Sequence, residues 1–432
     1  MTKFISIQEA MKKGKGKVAV RGWVYQERGS NKIKFIVLRD STNIIQCVLK
    51  HEDFEDQWKE IDSLLVESSV EIEGNIKKDK RAPTGFEISV NKINIIQIAE
   101  DFPINKSLNE KLLGDRRHLW LRSQKMNAIM KVRSTVFGAI HEYFRSKGFY
   151  EYHSPIFQSV QCEGGATLFN VDYFKKKGVF LAQTWQLYAE PAIFSLEKIY
   201  TIAPCFRAEE SKTSRHLTEF WMNEMEVAWA NFKDIQDYGE ELLKHIVKKV
   251  LEKNKQELKI LEQDVKKLEP TIKKKFPRMT YTDALKILKD KYKMKISWGK
   301  DLRTIEEDKL SKLYDTPIIV TEYPKIVKAF YMKETEGKPE VVNGCDFIAP
   351  EGYGEIIGGS EREADPEKIK QRLKEEGEDI SQYAFYLDTR KYGSVPHGGF
   401  GMGVERVISW ICGLTTIKDA IPFPRTMTRT SP

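Results

Sequence analysis

The sequence predicts an α+β protein in two folded parts, a small five-stranded barrel followed by a large, mainly antiparallel β-sheet flanked by helices. Three observations carry this reading. Over residues 17–99, short alternating or continuous apolar runs are broken by polar turns such as Arg28-Gly29-Ser30-Asn31. A polar stretch containing Pro103, with little periodicity, follows. Beyond it, apolar residues at helical spacing alternate with further strand-like runs. The chain has 432 residues, 41% apolar and 31% charged, enough to bury the cores of two or three domains; this excludes a disordered tail or a collagen-like fibre.

In order, the strand signals of the first part lie at residues 17–28, 32–40, 43–50, 68–78 and 86–99. Five short strands suit a closed barrel, an OB-fold or another small one. Residues 1–99 form this domain and 100–118 the hinge, leaving 119–432 for the second. There, Met126, Ile129, Met130, Val136, Phe137, Ile140 and Phe144 place an amphipathic helix over 123–147, stopped by Gly148. Strands are expected at 179–182, 199–203, 220–229, 317–322, 340–348 and 354–358, and a closing helix at 404–412. Between about 231 and 315 the sequence reads as a helical, lysine-rich insertion whose alternating Lys/Glu pattern suits a solvated face.

Subtracting 63 acidic from 71 basic residues leaves +8, which favours a polyanionic partner without identifying one. No run approaches the roughly 18 apolar residues of a membrane helix, and residues 1–17 lack the apolar core of a secretion signal, so a cytoplasmic protein with no membrane association is expected. Cys47, Cys162, Cys205, Cys345 and Cys412 are scattered and make no C-x-x-C pair, so they read as reduced structural thiols.

Chemistry-bearing residues concentrate in two places. In Phe206-Arg207-Ala208-Glu209-Glu210, followed by Ser211 to Phe220, two arginines, a histidine and acids gather between two strands. Arginine forks bind phosphate oxygens in pairs and an aromatic on the return strand can stack on a base; a charged hairpin tip in solvent is the plainer alternative. The second place is Gly399-Phe400-Gly401-Met402-Gly403-Val404-Glu405-Arg406. A Rossmann reading fails on context: such a fingerprint should open a βαβ unit, and a stretch about thirty residues from the C-terminus leaves no room for one. They are expected instead to let a strand backbone approach a ligand and to start a helix carrying Glu405 and Arg406.

These residues resemble motifs 2 and 3 of the class II aminoacyl-tRNA synthetases, F-R-A-E…R-H-L-x-E-F and G-x-G-x-G-x-E-R, with a weak motif 1 at Gly148-Phe149-Tyr150-Glu151 leading to Pro155. With a barrel in front, the chain is similar to the subgroup that charges aspartate, asparagine and lysine. The resemblance implies an OB-fold that reads the anticodon, a tRNA substrate rather than DNA, and a homodimer through motif 1. It implies that Arg207 bridges the amino-acid carboxylate and the ATP α-phosphate, and that Glu209, Arg215, His216, Leu217, Gly403 and Glu405 hold ATP. Phe220 would stack on adenine and Arg406 would lie against adenine and the γ-phosphate. Glu355 matches the acid carrying Mg²⁺. Aspartate-charging relatives have a hydroxyl three residues later as a second ligand; here that position is Gly358, so no second ligand is assigned. Arg207, Arg406 and Glu355 form the catalytic set.

For the amino acid, Glu163 and Gln183 match positions near the substrate ammonium. Aspartate-charging members carry Q-L-Y-K, with the lysine on the substrate carboxylate; this chain has Gln186-Leu187-Tyr188-Ala189. Without that cation, desolvating a second carboxylate costs several kcal/mol. Glu224 then accepts from an amide and repels a carboxylate, while Arg362 grips the side-chain oxygen. The resemblance thus implies L-asparagine as substrate. The alternatives are an aspartate-charging enzyme that need not discriminate, an ATP-dependent asparagine-forming paralogue, and a non-catalytic RNA-binding relative. In the barrel, Phe35 and Gln46 match anticodon-contacting positions, with Arg21 and Arg28 near phosphates. By its 34–36 pattern alone, Phe35 reads as core.

Overall fold

In the computed structural model the chain divides into two compact units, Met1–Arg116 and Arg117–Pro432, and residues 3–104, 109–162, 167–211 and 213–432 are described. In the first unit, β1 (Gly16–Ser30), β2 (Ile33–Arg39), β3 (Ile44–Lys50), β4 (Ser69–Lys78) and β5 (Phe86–Gln97) close a barrel in the order β1-β2-β3-β5-β4. Only the β3/β5 pair is parallel. Alternation decides which side chains enter: Val20, Ile36, Leu38, Ile45, Cys47, Leu49, Ile72 and Ile88 fill the interior. The helix Ile7–Lys13, started by a Ser6/Glu9 capping box, adds Ile7 and Ala10 to that core. Part of the segment read as a hinge is helical. It carries a short helix, Glu110–Asp115, capped by Asn109, and Arg117 beyond it is buried in the second unit against Asp419 and the carbonyls of Lys418, Ile421 and Pro422.

The second unit adds β6 (Tyr150–Glu151), β7 (Phe157–Gln158), β8 (Phe180–Leu181), β9 (Lys198–Phe206), β10 (Glu219–Ala228), β11 (Arg278–Thr280), β12 (Ile318–Pro324), β13 (Glu334–Thr335), β14 (Lys338–Ala349), β15 (Gly354–Glu361) and β16 (His397–Gly403). The main sheet runs β11-β12-β14-β15-β16-β10-β9-β6, with β13 on β14 and β7/β8 a separate ribbon. It is antiparallel except at its two edges, β11/β12 and β6/β9. One face is covered by the helices Gln124–Ser146, Phe232–Lys253 and Val404–Cys412. The first starts at Ser123, whose hydroxyl accepts from Met126 N–H, and Gly148 follows its end at φ +79. Its apolar stripe, Met126, Ile129, Val132, Val136, Ile140 and Phe144, packs on the sheet.

The lysine-rich stretch is not a detachable insertion. Ile235, Leu242, Leu243, Ile246, Val247 and Val250 of Phe232–Lys253 belong to the main core, and β11 joins the sheet. The lysines mark only the outer face of a helix whose inner face is structural. All five cysteines are buried and free, and burial pushes the Cys47, Cys345 and Cys412 thiols upward. No helix among the described residues is long and apolar enough to cross a membrane.

Candidate active site

The uncovered face of the sheet carries a cavity of about 310 Å³. Strand alternation builds one wall: Phe220, Met222, Glu224 and Glu226 of β10 all face the opening. β15 and the residue after it supply Glu355 and Arg362, and Arg406 enters from the first turn of Val404–Cys412. Between β10 and β15 runs β16 with its glycines. Gly401 and Gly403 themselves line the cavity. A Cβ on Gly399 would collide with Met225 O and the Glu226 carboxylate, and one on Gly401 would lie 2.6 Å from Met222 Cε. The glycines make room for the side chains of β10, which do the facing.

At one end the cations gather. Arg207, directly after β9, lies with its guanidinium 5.6 Å from the Phe220 ring centroid. Arg215 donates to Gly352 O and stands 3.7 Å from Glu307. Arg406 donates to Glu355 O at 2.8 Å and is 3.4 Å from the Glu355 carboxylate. His216 Nδ1 lies 2.5 Å from Thr213 Oγ1, and Nε2 lies 3.5 Å from Glu209. Burial, then the charges of Arg406, Arg215 and Arg207, hold the His216 imidazole below its ordinary value against the opposing pull of Glu209. Every residue that the family resemblance assigns to ATP lines this cavity. Glu405, however, spends both oxygens elsewhere, accepting from Arg133 Nη1 at 2.6 Å and from Trp221 N–H at 2.9 Å. It pins the helix Gln124–Ser146 and β10 to the helix that presents Arg406.

Beneath these arginines lies an acidic floor. Burial alone would raise the Glu355 carboxyl, but Arg406, Lys328 and Arg207 outweigh it and keep it low and ionised. Burial, reinforced by Glu355, pushes Glu307 up to about 7. Asp346 is also raised by burial, although Lys328 stands 2.8 Å away. No three His, Cys, Asp or Glu side chains among the described residues form a ready-made metal cage. The donor set nevertheless suits a hard cation that keeps water and phosphate oxygens, since Mg²⁺ is usually held by one or two carboxylates. A Cβ at Gly358 would be 3.0 Å from Glu355 Oε1 and 3.7 Å from Asp346 Oδ1, so both acids border the space where relatives have a hydroxyl.

The other end is nearly balanced in charge. Arg362 is 4% exposed; its Nε (3.3 Å) and Nη2 donate to Glu226, its Nη1 donates to Ser360 Oγ at 2.6 Å, and Tyr331 lies under it. A guanidinium has five N–H donors, and these three bonds leave two. Glu224 accepts from Thr184 Oγ1 and from Trp185 N–H at 2.8 Å, at the start of the helix Gln186–Leu196, where a negative charge is favoured. Gln186 also lines the cavity. Gln183 is buried just behind, accepting from Cys162 N–H and donating to Thr167 Oγ1. Ala189 does not line the cavity; it is fully buried with Trp185, Ile193, Ile199 and Ala228. Glu163 lies outside the described residues.

On the barrel, β1 and β2 pair Arg28 with Phe35, and the guanidinium sits 5.2 Å from the ring centroid. Arg28 also reaches Gln46, which donates to Glu87 at 3.0 Å. Phe35 is half-buried and outside the barrel core, because its neighbours Ile36 and Leu38 take the inward positions. Arg21 lies instead over Phe4.

The family of class II tRNA synthetases for D, K and N matches residues 109–427, and the OB-fold nucleic acid binding domain matches residues 18–96. The asparagine–tRNA ligase of Thermococcus kodakarensis is 47% identical over 416 residues, 96% of each chain, and that of Lactobacillus johnsonii 44% identical over 434 residues, the whole of each. The chain belongs to the asparagine–tRNA ligase family. The crystal structure of asparaginyl-tRNA synthetase from Pyrococcus horikoshii complexed with asparaginyl-adenylate superposes with a TM-score of 0.96 at 44% identity, covering both chains fully. The Entamoeba histolytica enzyme in complex with asparaginyl-adenylate gives 0.88 at 29% identity, over 96% of this chain and 97% of that one.

Against the asparagine–tRNA ligase frame, several site residues were not visible in the sequence. Glu226 lies two residues from Glu224 on a strand, a spacing that could have put both on one face. Lys328, Asp301, Glu307 and Asp346 converge from separate segments and no local pattern announces them.

Proposed function

We propose that this chain joins L-asparagine to the 3′ end of its cognate tRNA in two steps, through an asparaginyl-adenylate. The observation carrying the reading is the side-chain end of the cavity: Arg362 is already offset by Glu226, and Glu224 stands fixed beside it. Such a site welcomes a carboxamide, which offers both donor and acceptor, and turns away a carboxylate of the same shape. Sites built on buried polar groups separate near-isosteres by roughly 10⁴-fold, because the wrong partner leaves groups unpaired.

In the first step the asparagine α-carboxylate attacks the α-phosphorus of ATP and pyrophosphate leaves. Arg207 orients the two reacting groups and spreads the charge of the α-phosphate, while Arg215 and Arg406 hold the outer phosphates and Phe220 the adenine. Mg²⁺ would be held by Glu355, with Asp346 as the second oxygen donor, and would neutralise phosphate charge. In the second step the terminal ribose hydroxyl of tRNA attacks the adenylate carbonyl and AMP departs. The barrel supports anticodon reading through Phe35, Arg28 and Gln46. Motif 1, running to Pro155, supports a homodimer, and the expected compartment is the cytoplasm.

The decisive experiment is ATP–pyrophosphate exchange with each amino acid. Exchange stimulated by asparagine well above aspartate is expected; preferred aspartate activation overturns the specificity.

A further inference from the structure

Behind the amino-acid end of the cavity lies a buried cluster that the reaction above does not use. Glu190, 0% exposed on the helix Gln186–Leu196, accepts from Gln186 Nε2 at 2.8 Å, from Tyr386 Oη at 2.8 and 3.0 Å, and from Arg390 Nη2. His397 Nε2 is 3.1 Å away and Arg362 Nε 3.9 Å. Arg390 is anchored in turn by Thr389 Oγ1 at 2.8 Å, Glu363 O at 3.2 Å and the face of Tyr386. His397 Nδ1 meets Val395 O at 2.8 Å. A network so fully engaged is rigid. Glu190, Arg390, Tyr386 and His397 do not line the cavity, whereas Gln186 and Arg362 do.

Glu190 therefore holds two cavity-lining groups at once, Gln186 by a hydrogen bond and Arg362 by charge. The sum of charges is as informative as the geometry. Two guanidiniums, Arg362 and Arg390, stand against two carboxylates, Glu190 and Glu226. Burial pushes Glu226 upward despite Arg362, whereas Arg390, His397 and Arg362 overcome burial at Glu190 and hold it low. Of the two acids, Glu190 is the one more firmly ionised.

We propose that Glu190 is a positioning residue that sets specificity: it fixes Gln186 and Arg362 and cancels the charge of the guanidiniums, so the pocket offers donors without a net positive field. This rests on the assignment of the cavity to asparagine. A carboxamide leaves the cluster neutral; a carboxylate adds a charge with no counter-charge beside Glu224. Removing the Glu190 charge creates the positive field that aspartate needs.

The test is the ratio of kcat/KM for asparagine over aspartate in pyrophosphate exchange, with full-length protein. Glu190→Gln is expected to lower the ratio roughly tenfold or more. Arg390→Gln, the opposite change in charge, should raise it, and the double variant should return it close to the parent value. A packing role alone would depress both amino acids together and leave the ratio unmoved in all three, which overturns the proposal. Should Glu190→Gln fail to fold, Arg390→Gln decides: a raised ratio supports the proposal, and an unchanged or lowered one overturns it. An unsubstituted protein that prefers aspartate would instead overturn the assignment of the cavity.

Discussion

Replacing Glu405 by glutamine separates two roles that the family resemblance and the structure give to one residue. The carboxylate is 1% exposed and meets Arg133, itself 9% exposed, at 2.6 Å, while also accepting from Trp221 N–H at 2.9 Å. Removing one partner of a buried ion pair costs about 3–5 kcal/mol, because the remaining charge stays desolvated. Glutamine keeps the shape and can still accept from Trp221, and Arg133 retains Ala420 O at 3.1 Å and the Phe137 ring. The expected loss is therefore about 2–4 kcal/mol. For a unit as large as Arg117–Pro432, about 2 °C per kcal/mol is expected, so its melting transition should fall by roughly 4–8 °C. Thermal unfolding followed by circular dichroism measures this. The KM for ATP, measured well below the transition, should change less than about threefold. A variant that melts normally but has lost ATP affinity by more than tenfold would show that Glu405 meets the nucleotide and would refute the pin.

Three further outcomes follow from the geometry. Phe35→Ala should raise the KM for tRNA by roughly 5- to 100-fold, as loss of one stacked base predicts, with pyrophosphate exchange intact; equal loss in both assays would make the ring structural. Gly399→Ala should destabilise the protein by about 1–3 kcal/mol or more and raise the KM for asparagine, because the new Cβ displaces Glu226 from Arg362; a fully stable variant with unchanged KM refutes the crowding. His216 is held below its ordinary value by burial and by Arg406, Arg215 and Arg207. ATP neutralises those arginines and lifts the imidazole back up, so ATP binding should take up protons near pH 6 and not near pH 8. Calorimetry in buffers of differing ionisation enthalpy reads the uptake; proton release at pH 6 would contradict it.

The barrel was legible because its short apolar runs, alternating or continuous, are broken by polar turns, and the helix Gln124–Ser146 because one stripe is uniformly apolar. The solvated face of the helix Phe232–Lys253 was legible from its lysines, which dominate the composition and hide the apolar stripe Ile235, Leu242, Ile246 and Val250 that packs in the core. The phosphate end was legible as contiguous motifs. Lys328 and Asp346 were not, since Lys328 lies just beyond β12 and reaches Asp346 only when β12 is laid beside β14. The β16 glycines are harder to read for a physical reason: a missing side chain leaves no sign of whether ligand or neighbour fills the gap.

Because β16 sends Phe400 and Met402 into the core and otherwise offers mostly glycine, the chemistry of the cavity is written by the strands on either side of it. Exchanging a few residues on β10 and β15 can retune which small molecule is accepted, while the bare strand between them, and the helix it launches toward the nucleotide, stay as they are. A scaffold so arranged lets substrate choice drift without disturbing the machinery that spends ATP.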